Sequence, residues 1–351
     1  MHKTLITQII NQIKANKSSI GEDLPKFSDK NYHPVKINKD NFHSIKETAS
    51  NRKIAFIDGG NAELLRASNF SLHFIRLYAV VYKENKRVKA EKKEFYCLVN
   101  SFEDKEEIHY KAKLFDKPDF IDENDLIFSS FDKTIVTGIN RAEVSKISSI
   151  VRRFAELGFA KEVVGGLDKD DIIVLDGNLQ STVTNERKYI DGLYEKAEEK
   201  GVVVSAFCKT STLLTEKGMP IPPLLSRLST IDEPWYYHPI VNINSVGHKA
   251  EMYFIKLNRN SGYVFRYELY KNNVYDINEI LSLLKANSKD PMFRGYPYGL
   301  IEADRFARVS NNEKEQLKLR LMISLGKENK ELISYLNTAN AHDVLDGIGK
   351  G

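Results

Sequence analysis

Two short apolar runs end alike: Ile54-Ala55-Phe56-Ile57 is followed by Asp58-Gly59-Gly60, and Ile172-Ile173-Val174-Leu175 by Asp176-Gly177. Four apolar residues closed by turn-forming residues have the length of a buried strand. In an open α/β sheet the carboxyl ends of the strands form the ligand-binding edge. Aspartates there suit a hard divalent cation such as Mg2+ or Mn2+, which takes oxygen ligands and can activate water while neutralising charge on a phosphodiester. Asp-Gly is also ordinary turn chemistry, so two strand ends need at least one further carboxylate. The helical segment 151-VRRFAELGFAKEV-163 supplies Glu156, flanked by Phe154 and Leu157 of its apolar stripe, whereas Glu143 stands in a more polar context.

The elements that must hold these acids follow from periodicity. After an amphipathic helix over 3–15, with Leu5, Ile9, Ile10 and Ile13 on one face, the polar stretch 17–51 reads as an irregular arm. The runs 71–82 and 87–99 form a meander with the Asp58 strand, which turns at Asp58-Gly59-Gly60. Residues 101–133, acidic and broken by Pro118, read as a surface insertion. A helix over 139–161, a strand at 171–177, a helix at 185–200 and a strand at 201–209 then alternate, which implies parallel pairing. Strands at 249–258 and 263–270, a helix at 277–286 and helical character from Pro297 to Leu325 complete the chain. The expected organisation is an N-terminal helix and arm over 1–51, one domain over 52–325, and a C-terminal helix and tail over 326–351.

Composition excludes several classes. With 351 residues, 42% apolar and 28% charged, the chain is that of a soluble globular protein able to bury a sizeable core. Fifty-two basic against 48 acidic residues leave a formal charge of +4, too little for a nucleic-acid coat protein, so a polyanion would meet a local patch. Cys97 and Cys208 form neither a disulfide framework nor a zinc motif, and a reducing cytoplasm fits best. The eight histidines lack zinc spacing, no apolar run is long enough to cross a bilayer, and no G-x-x-x-x-G-K-[ST] loop is present. Residues 235-WYYHP-239 gather the only Trp with two tyrosines, a core or dimer-interface cluster before a base-stacking one.

Strand-Asp, helix-Glu, strand-Asp is the order of an RNase H-like nuclease, in which separated acids converge on one or two metal ions. The strand IAFIDGG, the helix RRFAELGFAKEV, the strand DIIVLDGNL, the segment VVVSAFCKTS and the stretch 295-GYPYGLIEADRFARV-309, in that order, resemble the NurA family of DNA-end-processing nucleases. The resemblance spans about residues 54 to 309. It implies an α/β, RNase H-like fold, a mixed sheet flanked by helices with additional C-terminal strands and helices. It also implies Mn2+-dependent DNA cleavage, with Mg2+ as a possible substitute, a homodimer, and partnership with the hexameric ATPase HerA. The metal-binding acids become Asp58, Glu156 and Asp176; Lys209 lies where the family has a lysine able to hold a phosphate, and Tyr296 falls on its active-site tyrosine. Eight residues on, where the family usually has histidine, this chain has Asp304, which could complete a metal site but cannot transfer a proton as an imidazole does. Two other classes remain open at this point. An actin-like kinase is suggested by IDGGNA, although Asn61-Ala62 stand where a hydroxyl is wanted, and a non-catalytic DNA-guiding adaptor of an ATPase ring is the other.

Overall fold

The structure, a computed structural model, describes residues 2–15, 23–271 and 275–328. Its elements in chain order are α1 (His2–Ala15), β1 (Tyr32–Pro34), β2 (Phe42–Ser44), β3 (Lys53–Arg66), β4 (Phe70–Lys83), β5 (Lys86–Asp104), β6 (Glu107–Phe115), β7 (Ile127–Ser129), α2 (Lys146–Gly165) and β8 (Ile172–Asp176). There follow α3 (Glu186–Lys200), β9 (Val203–Cys208), α4 (Ile221–Leu228), β10 (Trp235–Tyr237), β11 (Val241–Ile243), β12 (Ala250–Lys256), β13 (Phe265–Tyr270), α5 (Ile277–Ala286), α6 (Tyr298–Ala307) and α7 (Asn311–Glu328). The chain divides into two units, one of Met1–Asn51, Asp176–Gln180 and Val203–Tyr298, the other of Arg52–Leu175, Ser181–Val202 and Gly299–Gly351.

In the unit that begins at Arg52, β3, β4 and β5 form the expected antiparallel meander, and β8 runs parallel to β3 with Ile57 opposite Leu175. β3 does not turn at Asp58-Gly59-Gly60 but continues to Arg66, with Asp58 opposite Tyr78 and Gly59 opposite Leu77. The glycines serve close approach instead. A Cβ on Gly59 would lie 2.5 Å from Glu156 Oε1, and one on Gly60 would lie 2.2 Å from the Ala307 carbonyl oxygen. The segment 101–133 is likewise no surface excursion, because β5 runs to Asp104 and β6 and β7 extend the sheet beyond it. Along β6, Tyr110, Ala112 and Leu114 are buried while Lys111, Lys113 and Phe115 are exposed, a period-two pattern masked by the polar composition around it. The helical stretch from Pro297 is two helices. Ser310 caps α7 by accepting the Glu313 N–H on its hydroxyl at 3.2 Å.

In the other unit β13 is antiparallel to both β9 and β12, β10 joins β12 to β2, and β1 pairs with β11. Trp235 and Tyr237 are fully buried with Phe254, Leu224 and Ile37, so the aromatic cluster is core. The arm from Tyr32 onward is correspondingly ordered by that core, where Ile37 and Ile45 are buried. On α1, Leu5, Ile6, Ile9 and Ile10 are exposed. The Ile13 side chain and the tail from 329 onward lie outside the described residues. Among the described residues no helix is long and apolar enough to cross a membrane.

Candidate active site

Parallel register sets the first two carboxylates. Asp58 and Asp176 each follow the register pair Ile57 and Leu175 by one residue, so they leave neighbouring strands at the same level, about 4.8 Å apart in the hydrogen-bonding direction. Asp58 is buried, 8% exposed, and its Oδ1 accepts the Gly59 N–H at 2.7 Å. Asp176 is the last residue of β8, and Lys209 forms an ion pair with it at 2.6 Å.

The third carboxylate comes from α6, which three contacts seat on β3 and β4. Gly299 lets the helix backbone meet the Phe56 ring, since a Cβ there would lie 2.0 Å from Phe56 Cδ2. Glu302 is buried and accepts the Tyr78 hydroxyl at 3.0 Å, the Tyr82 hydroxyl, and Arg87 at 3.0 Å. Past the helix end, Arg76 donates to the Arg308 carbonyl at 3.2 Å. So held, α6 brings Asp304 to the strand ends, and Asp58, Asp176 and Asp304 each offer a carboxylate oxygen, the three lying within 4.8 Å of one another. Ligands of an octahedral ion with metal–oxygen distances of about 2.1 Å are roughly 3.0 to 4.2 Å apart. The three oxygens therefore need only a small contraction to hold Mg2+ or Mn2+, and an all-carboxylate set suits those hard ions.

The other expected residues are placed differently. Glu156 is buried over Gly59, the neighbour of Asp58, but it is not one of the three clustered acids: it pairs with Arg152 one turn earlier, which also donates to the Gly59 carbonyl at 2.7 Å. Glu143 is exposed and paired with Arg66 at 2.9 Å. Tyr296 is 2% exposed, its ring stacked on Phe293 at 4.8 Å and edge-on to Phe207 at 5.2 Å. Asp304 pairs with Arg308 at 2.9 Å. Each of Asp176, Glu156 and Asp304 thus carries a basic side chain of its own, which offsets the repulsion between gathered carboxylates.

Sequence reading missed the support of the loop after Asp176. Gly177 donates its N–H to the Phe207 carbonyl at 3.0 Å and accepts the Cys208 thiol at 2.8 Å. Two residues on, the Leu179 N–H donates to Glu268 at 2.7 Å. Glu268 is wholly buried, bonded to Arg266 at 2.6 Å and to His248 Nε2 at 3.0 Å, while the Tyr32 hydroxyl meets His248 Nδ1 at 2.6 Å. Burial pushes the Glu268 carboxyl up, but Arg266, His248 and the Leu179 N–H outweigh it and hold the group down at about 2. The one available signal was alternation along 265-FRYELY-270, which places Arg266 and Glu268 on one face of β13.

Comparison with known proteins agrees with this architecture. The crystal structure of the NurA nuclease from Sulfolobus solfataricus superimposes with a TM-score of 0.51 at 18% identity, covering 94% of this chain and 96% of that one. Endonuclease V from Ciona intestinalis, solved with a 24-mer DNA containing inosine, gives a TM-score of 0.38 at 10% identity, over 76% of this chain and 87% of that chain. Human endonuclease V gives 0.36 at 12% identity, over 77% and 91%. No curated protein is detectably similar in sequence. The NurA domain family model matches residues 52–309, which takes in all three clustered acids. With an α/β fold like that of the Sulfolobus enzyme and a family model spanning most of its length, the chain belongs to the NurA family of nucleases.

Proposed function

We propose that this protein is a divalent-metal-dependent deoxyribonuclease that hydrolyses phosphodiester bonds in DNA end resection or repair. The observation that carries the reading is the convergence of Asp58, Asp176 and Asp304 within 4.8 Å. Those three side chains would hold Mn2+, with Mg2+ as a substitute. Such an ion, when bound, neutralises charge developing on the phosphate and lowers the pKa of water beside it.

The chain's own groups do the rest. Asp304, standing where the family usually has histidine, completes an oxygen set rather than moving a proton. Glu156 over Gly59 adds a fourth carboxylate once its bond to Arg152 opens. Lys209, which pairs with Asp176, would hold a non-bridging oxygen of the scissile phosphate. Tyr296 packs on Phe207 and so steadies the end of β9 from which Lys209 projects. The chain has no P-loop motif, so translocation on DNA needs a separate motor, and a HerA-type hexameric ATPase acting with a homodimer of this chain in the cytoplasm supplies it.

The test is digestion of end-labelled single- and double-stranded DNA with Mn2+, Mg2+ or EDTA, alone and with the ATPase. Metal-dependent cleavage that Asp58→Ala abolishes is the expected result. Failure under every metal and with the ATPase present would instead make the chain a DNA-guiding adaptor.

A further inference from the structure

A cavity of about 980 Å3 opens beside β5, bounded by the loop 116–120 and by α2 and α3, all within the unit that begins at Arg52. Six of its lining side chains are lysines, at 92, 93, 117, 161, 188 and 196, against four carboxylates. Two of those carboxylates are already spent on lysines of the lining: Lys92 pairs with Glu94 at 2.9 Å and Lys93 with Glu162 at 2.8 Å. Lys188 and Lys196 take Asp125 and Glu199 from outside it. Lys117 and Lys161 have no ion-pair partner among the described residues. Asp116 and Asp119, on the bounding loop, are the lining's remaining acids.

The cavity is built rather than incidental. Phe120 lies against bare helix at Gly158, where a Cβ would come within 2.5 Å of its ring. Phe95 and Tyr189 are buried in the lining. β6 pairs with β5 only from Tyr96 onward, so Lys92 to Phe95 form an uncovered strand edge facing this space. Lysines on an open edge also discourage strand-to-strand association, but that role does not account for Lys161 on α2 or Lys117 on the loop.

Register places the cavity relative to the acids of the same unit. Asp58, Tyr78 and Lys92 are register partners on the face where Tyr78 meets Glu302 of α6, whereas Lys93, paired with Glu162, lies on the α2 face with the cavity, so the cavity and Asp58 lie on opposite faces of the sheet. We propose that this lysine-lined cavity, on the face of the sheet opposite Asp58, binds the phosphate backbone of the DNA away from the bond cleaved beside Asp58. The inference rests on the nuclease reading above.

The test uses fluorescence anisotropy of a labelled 24-nucleotide single strand in EDTA, titrated from 50 to 200 mM salt, with the full chain. The triple variant Lys93→Ala/Lys117→Ala/Lys161→Ala is expected to bind at least tenfold more weakly at the lowest salt. Its log–log salt slope should be shallower by about 2, from three phosphate contacts at about 0.7 each on a single strand. Lys117→Glu and Lys161→Glu singly, which break no ion pair, should each weaken binding in the same direction. A control triple on the β5–β6 hairpin and β6, Lys105→Ala/Lys111→Ala/Lys113→Ala, should keep the wild-type slope. Unchanged affinity and slope in the first triple, or an equal loss in both triples, would overturn the proposal while leaving the nuclease reading intact. Absence of DNA binding by the wild-type chain would overturn both.

Discussion

Replacing Gly299 by alanine tests how the third carboxylate is delivered. A Cβ at that position would lie 2.0 Å from Cδ2 and 2.3 Å from Cε2 of Phe56, where carbon–carbon contacts settle near about 3.5–4.0 Å. Phe56 is 0% exposed in the middle of β3, with Val80 and Val174 as register partners on either side, so its ring cannot retreat far. Helix α6 must therefore lift by roughly 1.5 Å to restore contact distance. Overpacking of this kind costs about 1–3 kcal/mol, which outweighs the gain of at most about 1 kcal/mol from alanine in a helix. The same shift carries Asp304 away from Asp58, and a misplacement of about 1 Å in a site can cost ~100-fold in rate. Gly299→Ala is expected to lower the urea midpoint, weaken Mn2+ binding measured by calorimetry at least tenfold, and reduce DNA cleavage correspondingly. Adding Phe56→Leu, which vacates the space, should recover much of the Mn2+ affinity. A Gly299→Ala variant with wild-type stability and Mn2+ affinity would refute this account of how α6 is seated.

Two further outcomes are expected. His73 is buried on β4 with no hydrogen-bond partner for either ring nitrogen among the described residues, and burial, aided by Arg66 and Lys314, pushes its pKa down from 6.5 to about 4. The folded state resists the proton that the unfolded state accepts, so this contribution is complete above about pH 6.5 and is lost as pH falls toward 4, up to ~3 kcal/mol. His73→Leu should flatten the urea midpoint over that interval, and an unchanged pH dependence would argue against the assignment. Lys209→Met removes the cation paired with Asp176 and should tighten Mn2+ binding several-fold while slowing DNA cleavage, because the phosphate contact is lost. Parallel weakening of both would mean that Lys209 serves only to hold Asp176 in place.

Much of the layout was legible because it rests on local periodicity. The apolar runs before Asp58 and Asp176, the stripe around Glu156 and the helices at 186–200 and 277–286 are each visible over one or two turns or a few strand residues. What was hidden depends on contacts far apart in the chain. Gly59 and Gly60 look like a turn because glycine favours turns, yet their missing side chains admit Glu156 and the end of α6 onto a continuous strand. The alternation in β6 was buried in charged neighbours, so the strand read as a surface loop. Glu156, expected among the metal-binding acids, lies over Gly59 outside the cluster of three, and Arg152 at i−4 decides where its carboxylate points. His248 stood out by no spacing, and its pairing with Glu268 and Tyr32 is a matter of strand packing alone.

The most direct test of the central claim is a crystal structure of the protein grown with Mn2+, using the ion's anomalous scattering to locate it. A peak is expected within about 2.0–2.3 Å of oxygens from Asp58, Asp176 and Asp304, with Lys209 withdrawn from Asp176, and no such peak in Asp304→Ala. A peak held by other side chains, or one that survives unchanged without Asp304, would contradict it.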